Sequence, residues 1–488
     1  MTSADHGRWW KQAKWRAFGA IGFAYLLLVL AMSLSFLTLP SVAEEFDVTL
    51  KAVGWVVITE SLLIAALLLP MGGLADSFGR KKVLAVGTAV MGTGAALTGL
   101  APSFALVIAA RVVMAIGSTL FQSVSTGMLI AAFPPEERGV AMGSQTAAVA
   151  TGSAAAPLFG GVALQVLDWD TLFLLLAIPV GLSLLVIRVL IDDDLVEPEP
   201  DAQQTDGGRR FDRVGAALSA LAIAAMVLTV NNPFDQPWLS STVLASAALS
   251  VCLVAAFVRW ELSVERPMLE LRLFAISVFR KAVTIRVLGF TASAAYALML
   301  PIYLLTVREV SAAMAGLVIS ILPMGMGISA SVTGRIYDRV GPRAPSVLGL
   351  TLQVGTTTAF AFSDESTPLL LIGVFAFLSG AGMALWNVSN NSAMMGAIPP
   401  ASLAVGGAFS NVTRTVGSAF GQALTTAMVA GVMVSKGFDI PLGDLSDTAG
   451  AAGAFIDGWQ VAFLGAAGLS AFTLIFAVMQ PNDPTDQR

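Results

Sequence analysis

The chain has 488 residues, 56% of them hydrophobic and 12% charged, with a formal net charge of -5. Average soluble proteins carry roughly 25% charged residues, so a soluble fold of this length has too little charge to cover its surface, and the composition indicates a membrane protein. A single cysteine, Cys252, and a single histidine, His6, exclude a disulfide framework, a thiolate or His-based metal centre and a Ser-His-Asp triad, and no cofactor is expected.

From the N-terminus, residues 1–17 form a tail. Apolar runs of the roughly 20 residues that cross a bilayer as helix follow at 18–40, 52–75, 83–101, 104–131, 140–164, 171–191, 214–231, 240–259, 283–305, 312–333, 345–362, 367–394, 402–433 and 456–480. The first is too long for a removable signal peptide and has no small-residue cleavage site; it is read as retained. The expectation is an all-α integral membrane protein with fourteen transmembrane helices. An even number of spans places both termini on one side. That side is predicted to be the cytoplasm, because it gathers nearly all the Lys and Arg, whose translocation is unfavourable. Among them are Lys14, Arg16, Arg138, Arg280, Lys281, Arg286 and Arg335, whereas Lys51, Arg308 and Lys436 fall outside.

Between the spans, residues 192–212 hold Asp192, Asp193, Asp194, Glu197, Glu199 and Asp201 with prolines and read as a solvated linker. Residues 213–260 contain the seventh and eighth helices. Residues 261–282 mix apolar and basic positions as an interfacial helix does. The outer segment 434–455, rich in Gly, Ala and Asp, reads as a loop, and 481–488 as a second cytoplasmic tail.

Two of the shortest connections are alike. Gly72-Gly73-Leu74-Ala75-Asp76-Ser77-Phe78-Gly79-Arg80-Lys81-Lys82 joins the second and third runs, and a looser copy, Gly334-Arg335-Ile336-Tyr337-Asp338-Arg339-Val340-Gly341-Pro342-Arg343, joins the tenth and eleventh. Phe133-Pro134-Pro135-Glu136 before the fifth run is matched by Ile398-Pro399-Pro400-Ala401 before the thirteenth, at nearly the same separation in sequence. Two landmarks offset alike imply a parallel duplication about an axis along the membrane normal. Residues 18–191 then form one six-helix half and 283–480 the other, with the inserted pair between them. A turn this short, carrying Gly, Asp and clustered base between two spans, resembles the signature loop of the major facilitator superfamily. With fourteen spans, the chain is similar to the drug/proton antiporter branch of that family over residues 18–480. The resemblance implies two pseudo-symmetric six-helix bundles plus two inserted helices.

The resemblance also implies roles for particular residues. Asp76 and Asp338, with Arg80, Lys81, Arg339 and Arg343 nearby and Gly72, Gly79, Gly334 and Gly341 around them, would form a conformational latch. Each Asp would pair with base or with a neighbouring helix N-terminus in one state and release it in the other; the alternative is a static salt bridge. Glu60 is the one carboxylate placed well within a span, about 10 Å deep at 1.5 Å per residue. A Glu there must be paired, face water or be protonated, which makes it the candidate proton carrier. Arg111, in Arg111-Val-Val-Met114-Ala115-Ile-Gly117, resembles the family's Arg-x-x-Gln-Gly-x-Gly with Met114 and Ala115 substituted. It stays charged and needs a partner, either Glu60 at similar depth or a backbone carbonyl.

In the fifth helix, Gly152-Ser-Ala-Ala-Ala156-Pro157-Leu-Phe-Gly160-Gly161 looks like the exporter motif Gly-x-x-x-Gly-Pro-x-x-Gly-Gly with Ala156 for the second Gly. Small residues allow close helix approach and Pro157 bends the span; ordinary close packing is the other reading. Asn387, Asn390, Asn391, Asn411 and Arg414 cluster in helices twelve and thirteen. With Tyr296, Tyr303 and Trp386 they are candidates to line a substrate cavity, although such aromatics also pack between helices or mark the membrane interface. One departure concerns the first helix, where anchoring on Leu39-Pro40 puts Ala31 and Ser33 at the branch's usual Asp and Thr.

The expected function is secondary active export of amphipathic or hydrophobic small molecules in exchange for protons, by a monomer in the cytoplasmic (inner) membrane. An uncoupled facilitator or a transporter of lipid-like substrates is the alternative that Ala31 favours, and a non-transporting membrane sensor is a third. No enzymatic activity and no nucleic-acid partner are expected, and no Walker sequence suggests ATP as the energy source.

Overall fold

A computed structural model describes residues 13–164, 166–196, 211–232, 240–264, 267–438 and 450–481. Most of the N-terminal tail, residues 197–210 of the linker, the centre of the outer loop and the tail from 482 lie outside the described residues. Long helices, labelled in chain order, account for nearly all the rest. They are α1 (Ala13–Leu37), α2 (Leu50–Phe78), α3 (Arg80–Gly99), α4 (Phe104–Ala132), α5 (Arg138–Ala163), α6 (Trp169–Leu190), α7 (Arg213–Asn231), α8 (Ser241–Ser263), α9 (Ser277–Ile302), α10 (Ala312–Val340), α11 (Arg343–Ala361), α12 (Leu369–Gly396), α13 (Leu403–Ser435) and α14 (Ala451–Val478).

Each predicted apolar run coincides with one of these helices. In lipid, every backbone polar group must be bonded within the protein, and a helix satisfies its own. Among the described residues, 12 helices are long and apolar enough to cross a membrane. The two outside that count are α5, diluted by Gly, Ser and Thr, and α11, which carries Gln353 and a run of Thr. Exposed aliphatic residues such as Leu100, Ile178, Val189 and Leu370 ring the outside, as a lipid-facing surface requires.

Local chemistry sets the ends. Asp212 accepts from the backbone N–H of Val214 and Gly215 at the start of α7, while Ser240 and Ser311 start α8 and α10 in the same way. Gly79 (φ 100°) and Gly341 (φ 78°) terminate α2 and α10. Their backbone N–H groups donate to Ala75 O and Tyr337 O at 3.0 and 2.8 Å, in a conformation that costs a residue with a side chain. Equivalent turns therefore sit at equivalent points of the two copies.

Helices α1–α6 and α9–α14 form two bundles that meet where α5 packs on α10 and α2 on α13, pairings that the sequence repeat interchanges. The first bundle centres on Met91, Phe121 and Phe173. The second centres on an aromatic stack of Phe360, Trp459 and Phe463, with Trp459 and Phe463 ring centroids 4.3 Å apart. Of the inserted pair, α7 packs on α2 and α13 through Ile223 and Val227 against Ala65, Leu68, Ala408 and Val412.

The segment 261–282 is not the expected interfacial helix. Helix α8 continues to Ser263, Leu271–Ala275 is a single 3-10 turn and α9 begins at Ser277. Met268, Leu269 and Leu273 are buried against protein, and the backbone N–H of Leu269 donates to Glu261 Oε2 at 2.9 Å. The apolar residues that suggested a lipid-facing stripe are thus spent on tertiary packing.

The α5–α10 contact depends on two glycines. A Cβ at Gly334 would lie 2.2 Å from Gly139 O, and one at Gly139 would lie 2.4 Å from Gly334 O. Gly334→Val is expected to hold the two bundles apart at this end. Cysteines introduced by Met142→Cys and Asn391→Cys, positions whose native side chains touch at 3.2 Å across the bundles, should then cross-link at least several-fold more slowly in a Cys252→Ser background. An unchanged rate would show that the glycine contact does not control the approach.

Candidate functional site

Helices α5 and α13 both begin after a Pro-Pro pair, Pro134-Pro135 and Pro399-Pro400, that forms a one-turn 3-10 lead-in. Proline contributes no N–H, and the first helical N–H groups have no partner within their own helix. Each set is capped from the opposite bundle. Asp76, at the end of α2, accepts from the backbone N–H of Ala404 at 3.4 Å and of Val405 at 3.1 Å. Asp338, at the end of α10, accepts from Gly139 at 2.8 Å and from Val140 at 3.0 Å. The two landmarks that define the repeat are therefore each other's partners. A carboxylate at a helix N-terminus gains about 0.3–1 kcal/mol, and up to about 2 where partly buried.

The two copies differ in how base supports the carboxylate. Arg80, 1% exposed, donates through Nε to Asp76 Oδ1 at 2.9 Å, through Nη2 to Pro400 O at 2.8 Å and through Nη1 to Val196 O at 3.3 Å. Gly72 lies against Val405 and Ala408. In the second copy, Arg339 and Arg343 are exposed and make no ion pair among the described residues. Lys81 pairs with Asp193 at 2.7 Å and Lys14 with Glu137 at 2.6 Å, partly exposed contacts of the kind that add little.

A second charged cluster lies inside the first bundle. Arg111 (α4) donates through Nη1 to the Ser35 hydroxyl of α1, and its guanidinium lies over the Phe173 ring at 4.1 Å. Glu60 (α2) is 4% exposed and lies within the field of Arg111 and hydrogen-bonding reach of Ser35, with Oε1 lacking a partner. Ser35 thus stands between the two charges, which form no direct ion pair among the described residues. Neither charge lies on the wall of the central cavity.

That cavity, of about 680 Å³, lies between the bundles and is walled by α1, α4, α5, α9, α10, α12 and α13, with Gln353 of α11. Along the helices it extends from the level of Gln122, Arg286 and Asn411 to that of Leu300 and Ile319, on the side away from the Asp76 and Asp338 contacts. Of the residues singled out from sequence, Tyr296, Asn387, Asn391, Asn411 and Arg414 line it. Three others do not. Trp386 is buried against Gly289 with Nε1 donating to Gln353 Oε1 at 2.6 Å, Asn390 donates to Ala282 O at 2.6 Å, and Tyr303 stacks on Trp459 and donates to Asp364 O. On α5, Gly152 abuts Val29 and Gly160 abuts Leu34 and Leu37 of α1. The side chain of Pro157 and the surroundings of Gly161 lie outside the described residues.

Sequence reasoning missed Tyr25, Gln122, Gln145 and above all Arg286. Counted among the cytoplasmic basic residues, Arg286 lies instead well within α9, 3% exposed. It donates through Nε to Ser410 O at 3.0 Å and Thr413 Oγ1 at 3.1 Å, and through Nη1 to Asn387 Oδ1 at 2.8 Å. A usable signal was present: Arg286, Phe290, Ser293 and Ala297 recur at helical spacing on the cavity face, as do Asn411, Arg414, Ser418 and Gln422.

The profile of the Major Facilitator Superfamily matches residues 21–422. The chain belongs to this family. It is a multi-pass membrane transporter of small molecules and not an enzyme. The chain is 26% identical to the lincomycin resistance protein LmrB of Listeria monocytogenes, over 92% of this chain and 94% of that protein. It is 25% identical to the riboflavin transporter RibZ of Clostridioides difficile, over 86% and 88%. Among solved structures, the human transporter MFSD10 (TETRAN), described as an organic anion transporter, superposes with a TM-score of 0.66 at 16% identity, over 95% of this chain and 99% of that one. That likeness concerns the fold alone.

Asp76→Asn keeps an acceptor but removes the charge at the α13 N-terminus. A loss of about 1–2 kcal/mol should shift the equilibrium between closed and open forms roughly 5- to 30-fold. Turnover should fall by more than substrate binding weakens, as read from transport kinetics beside equilibrium binding to the purified protein. Equal losses in both would remove the conformational role.

Proposed function

We propose that this transporter exports amphipathic or hydrophobic small molecules by alternating access, in exchange for protons, with all fourteen long helices spanning the membrane and both termini in the cytoplasm. The observation that carries this reading is the cavity between the bundles with an interhelical latch beyond its inner end in each copy of the repeat. With the Asp76 and Asp338 ends cytoplasmic, as the distribution of Lys and Arg suggests, the conformation is closed to the cytoplasm. Breaking both caps lets the bundles rock to the opposite state. The wall is mostly apolar with scattered Ser, Thr, Gln and Asn, which suits a range of amphipathic molecules. The similarity to an antibiotic resistance protein supports export.

Glu60 is the proposed proton carrier. It is a buried carboxylate with one oxygen unpartnered, held near Arg111 through Ser35, and a change at Ser35 or Arg111 on rearrangement of α1 and α4 would alter its hold on a proton. Arg80, Lys81 and the glycines around both Asp residues complete the latch, and the molecule acts as a monomer. A second reading, uncoupled transport, is favoured by Ala31, a buried apolar residue where the antiporter branch carries an acid.

Inverted vesicles with an acidic lumen separate these readings. Addition of a transported amphiphile should release protons from the lumen with the wild type, and Glu60→Gln should abolish that release while substrate binding persists. Substrate flux without proton release in the wild type would establish uncoupled transport.

A further inference from the structure

We infer that the molecule this cavity takes carries an anionic group, which sits between Arg414 and Arg286. The inference rests on the transport reading of the cavity and adds a charge to its substrate. Among the described residues, two guanidinium groups belong to the wall and no Asp or Glu does. Arg286 is held rigidly, but only by neutral partners: Ser410 O, Thr413 Oγ1 and Asn387 Oδ1. Arg414, partly buried on the next turn of α13, has neither a hydrogen bond nor an ion pair among the described residues. Arg286 lies within the field of Arg414, and both act on the buried Tyr25 across the cavity on α1.

Positive charge at this depth is costly unless compensated, and two neighbouring guanidinium groups add mutual repulsion. The carboxylate nearest in kind, Glu60, is on α2 beside Arg111 and off the wall. The counter-charge therefore comes with the ligand. Arginine presents a planar fork of donors that matches carboxylate, sulfonate or phosphate oxygens, and the Tyr25 hydroxyl can add a further donor. Leu28, Met32, Phe290 and Met326, with Leu300 at the far end, supply the apolar part of the wall. The class that fits is an amphipathic organic anion, and the same two charges disfavour lipophilic cations.

The test uses the full chain in phosphatidylcholine nanodiscs and three probes of one shape: naphthalene-2-sulfonate, the neutral naphthalene-2-sulfonamide and the cationic 2-naphthylmethylammonium. The wild type should bind the sulfonate most tightly and the ammonium least. Arg414→Gln should weaken sulfonate binding about 10- to 100-fold, the scale of a lost charge-assisted hydrogen bond, while changing sulfonamide binding less than about twofold, and Arg414→Lys should restore part of the loss. Repeating the titration with phosphatidylglycerol in the disc distinguishes the source of the anion. Displacement of the sulfonate by this lipid, with sensitivity to Arg414→Gln, assigns a lipid headgroup; no displacement assigns a soluble anion. A wild type that takes none of the sulfonate, or prefers the ammonium, or an Arg414→Gln variant that binds the sulfonate as before, overturns the inference. Vesicle uptake of the sulfonamide keeps the two readings apart: its uptake without sulfonate binding leaves export standing, whereas Arg414-dependent sulfonate binding without uptake of either compound leaves only the anion site.

Discussion

The unpaired N–H groups at the starts of α5 and α13 are the constraint on which the closed end of the molecule depends. Neither helix can satisfy them internally, the preceding Pro-Pro pairs donate nothing, and the surrounding helices are largely apolar. The carboxylates that do so, Asp338 and Asp76, come from the opposite bundle. Helix capping, normally a local matter, here becomes the contact between two rigid bodies. Once the caps are in place, Gly139, Gly143 and Gly334 allow backbones to touch along α5 and α10, and Gly72 allows the same along α2 and α13. A contact made of two charge-assisted caps and glycine-mediated packing is tight in one geometry and worthless a few ångströms away, which is the property a two-state interface needs.

The repeat is not energetically symmetric. Arg80 ties Asp76 to Pro400 and Val196, while Asp76 itself caps the α13 start, so three separate segments of chain converge on one buried ion pair. On the other side, Asp338 stands with backbone donors alone, and its neighbouring arginines are exposed. Opening the Asp76 side must strand or re-pair a buried guanidinium, which is more costly than exposing a capped carboxylate. In the proposed cycle the Asp338 cap is therefore the weaker of the two, although its helices pack over the longer glycine contact.

Legibility in the sequence followed the strength of the physical constraint. All the long helices were readable from apolar runs because lipid leaves the backbone no other arrangement, and Asp76, Asp338, Gly79 and Gly341 were readable because a duplicated turn repeats its chemistry. Their partners were visible only as landmarks, since sequence does not say which helix start lies beneath which carboxylate. Apolar runs could not distinguish a lipid-facing stripe from tertiary packing, and Met268, Leu269 and Leu273 fell on the wrong side of that choice. The cavity was half legible: Asn387, Asn391, Asn411 and Arg414 were polar where lipid would not tolerate them, but so were Asn390 and Trp386, whose N–H groups donate within the bundle, to Ala282 O and Gln353 Oε1. Arg286 was missed because a basic residue near the predicted cytoplasmic end of a span reads as topology, and only the face it shares with Phe290 and Ser293 reveals its position.

Two sets of buried charge lie apart in the molecule. Glu60 and Arg111 belong to the interior of the first bundle, while Arg286 and Arg414 belong to the cavity and sit on helices of the second. Helix α1 touches both: Ser35 meets Arg111, and Tyr25, Met32 and Ser33 form cavity wall. Gly152 and Gly160 of α5 bring that bundle's interface helix directly against α1. A displacement of α5 as the Asp338 cap opens would, in the proposed cycle, carry α1 with it, and so both the hydroxyl between Arg111 and Glu60 and the wall facing the cavity arginines. In the proposed cycle, ligand and proton need not share a site or exchange places; they need only act on the same helix, and α1 is the element whose position both can bias.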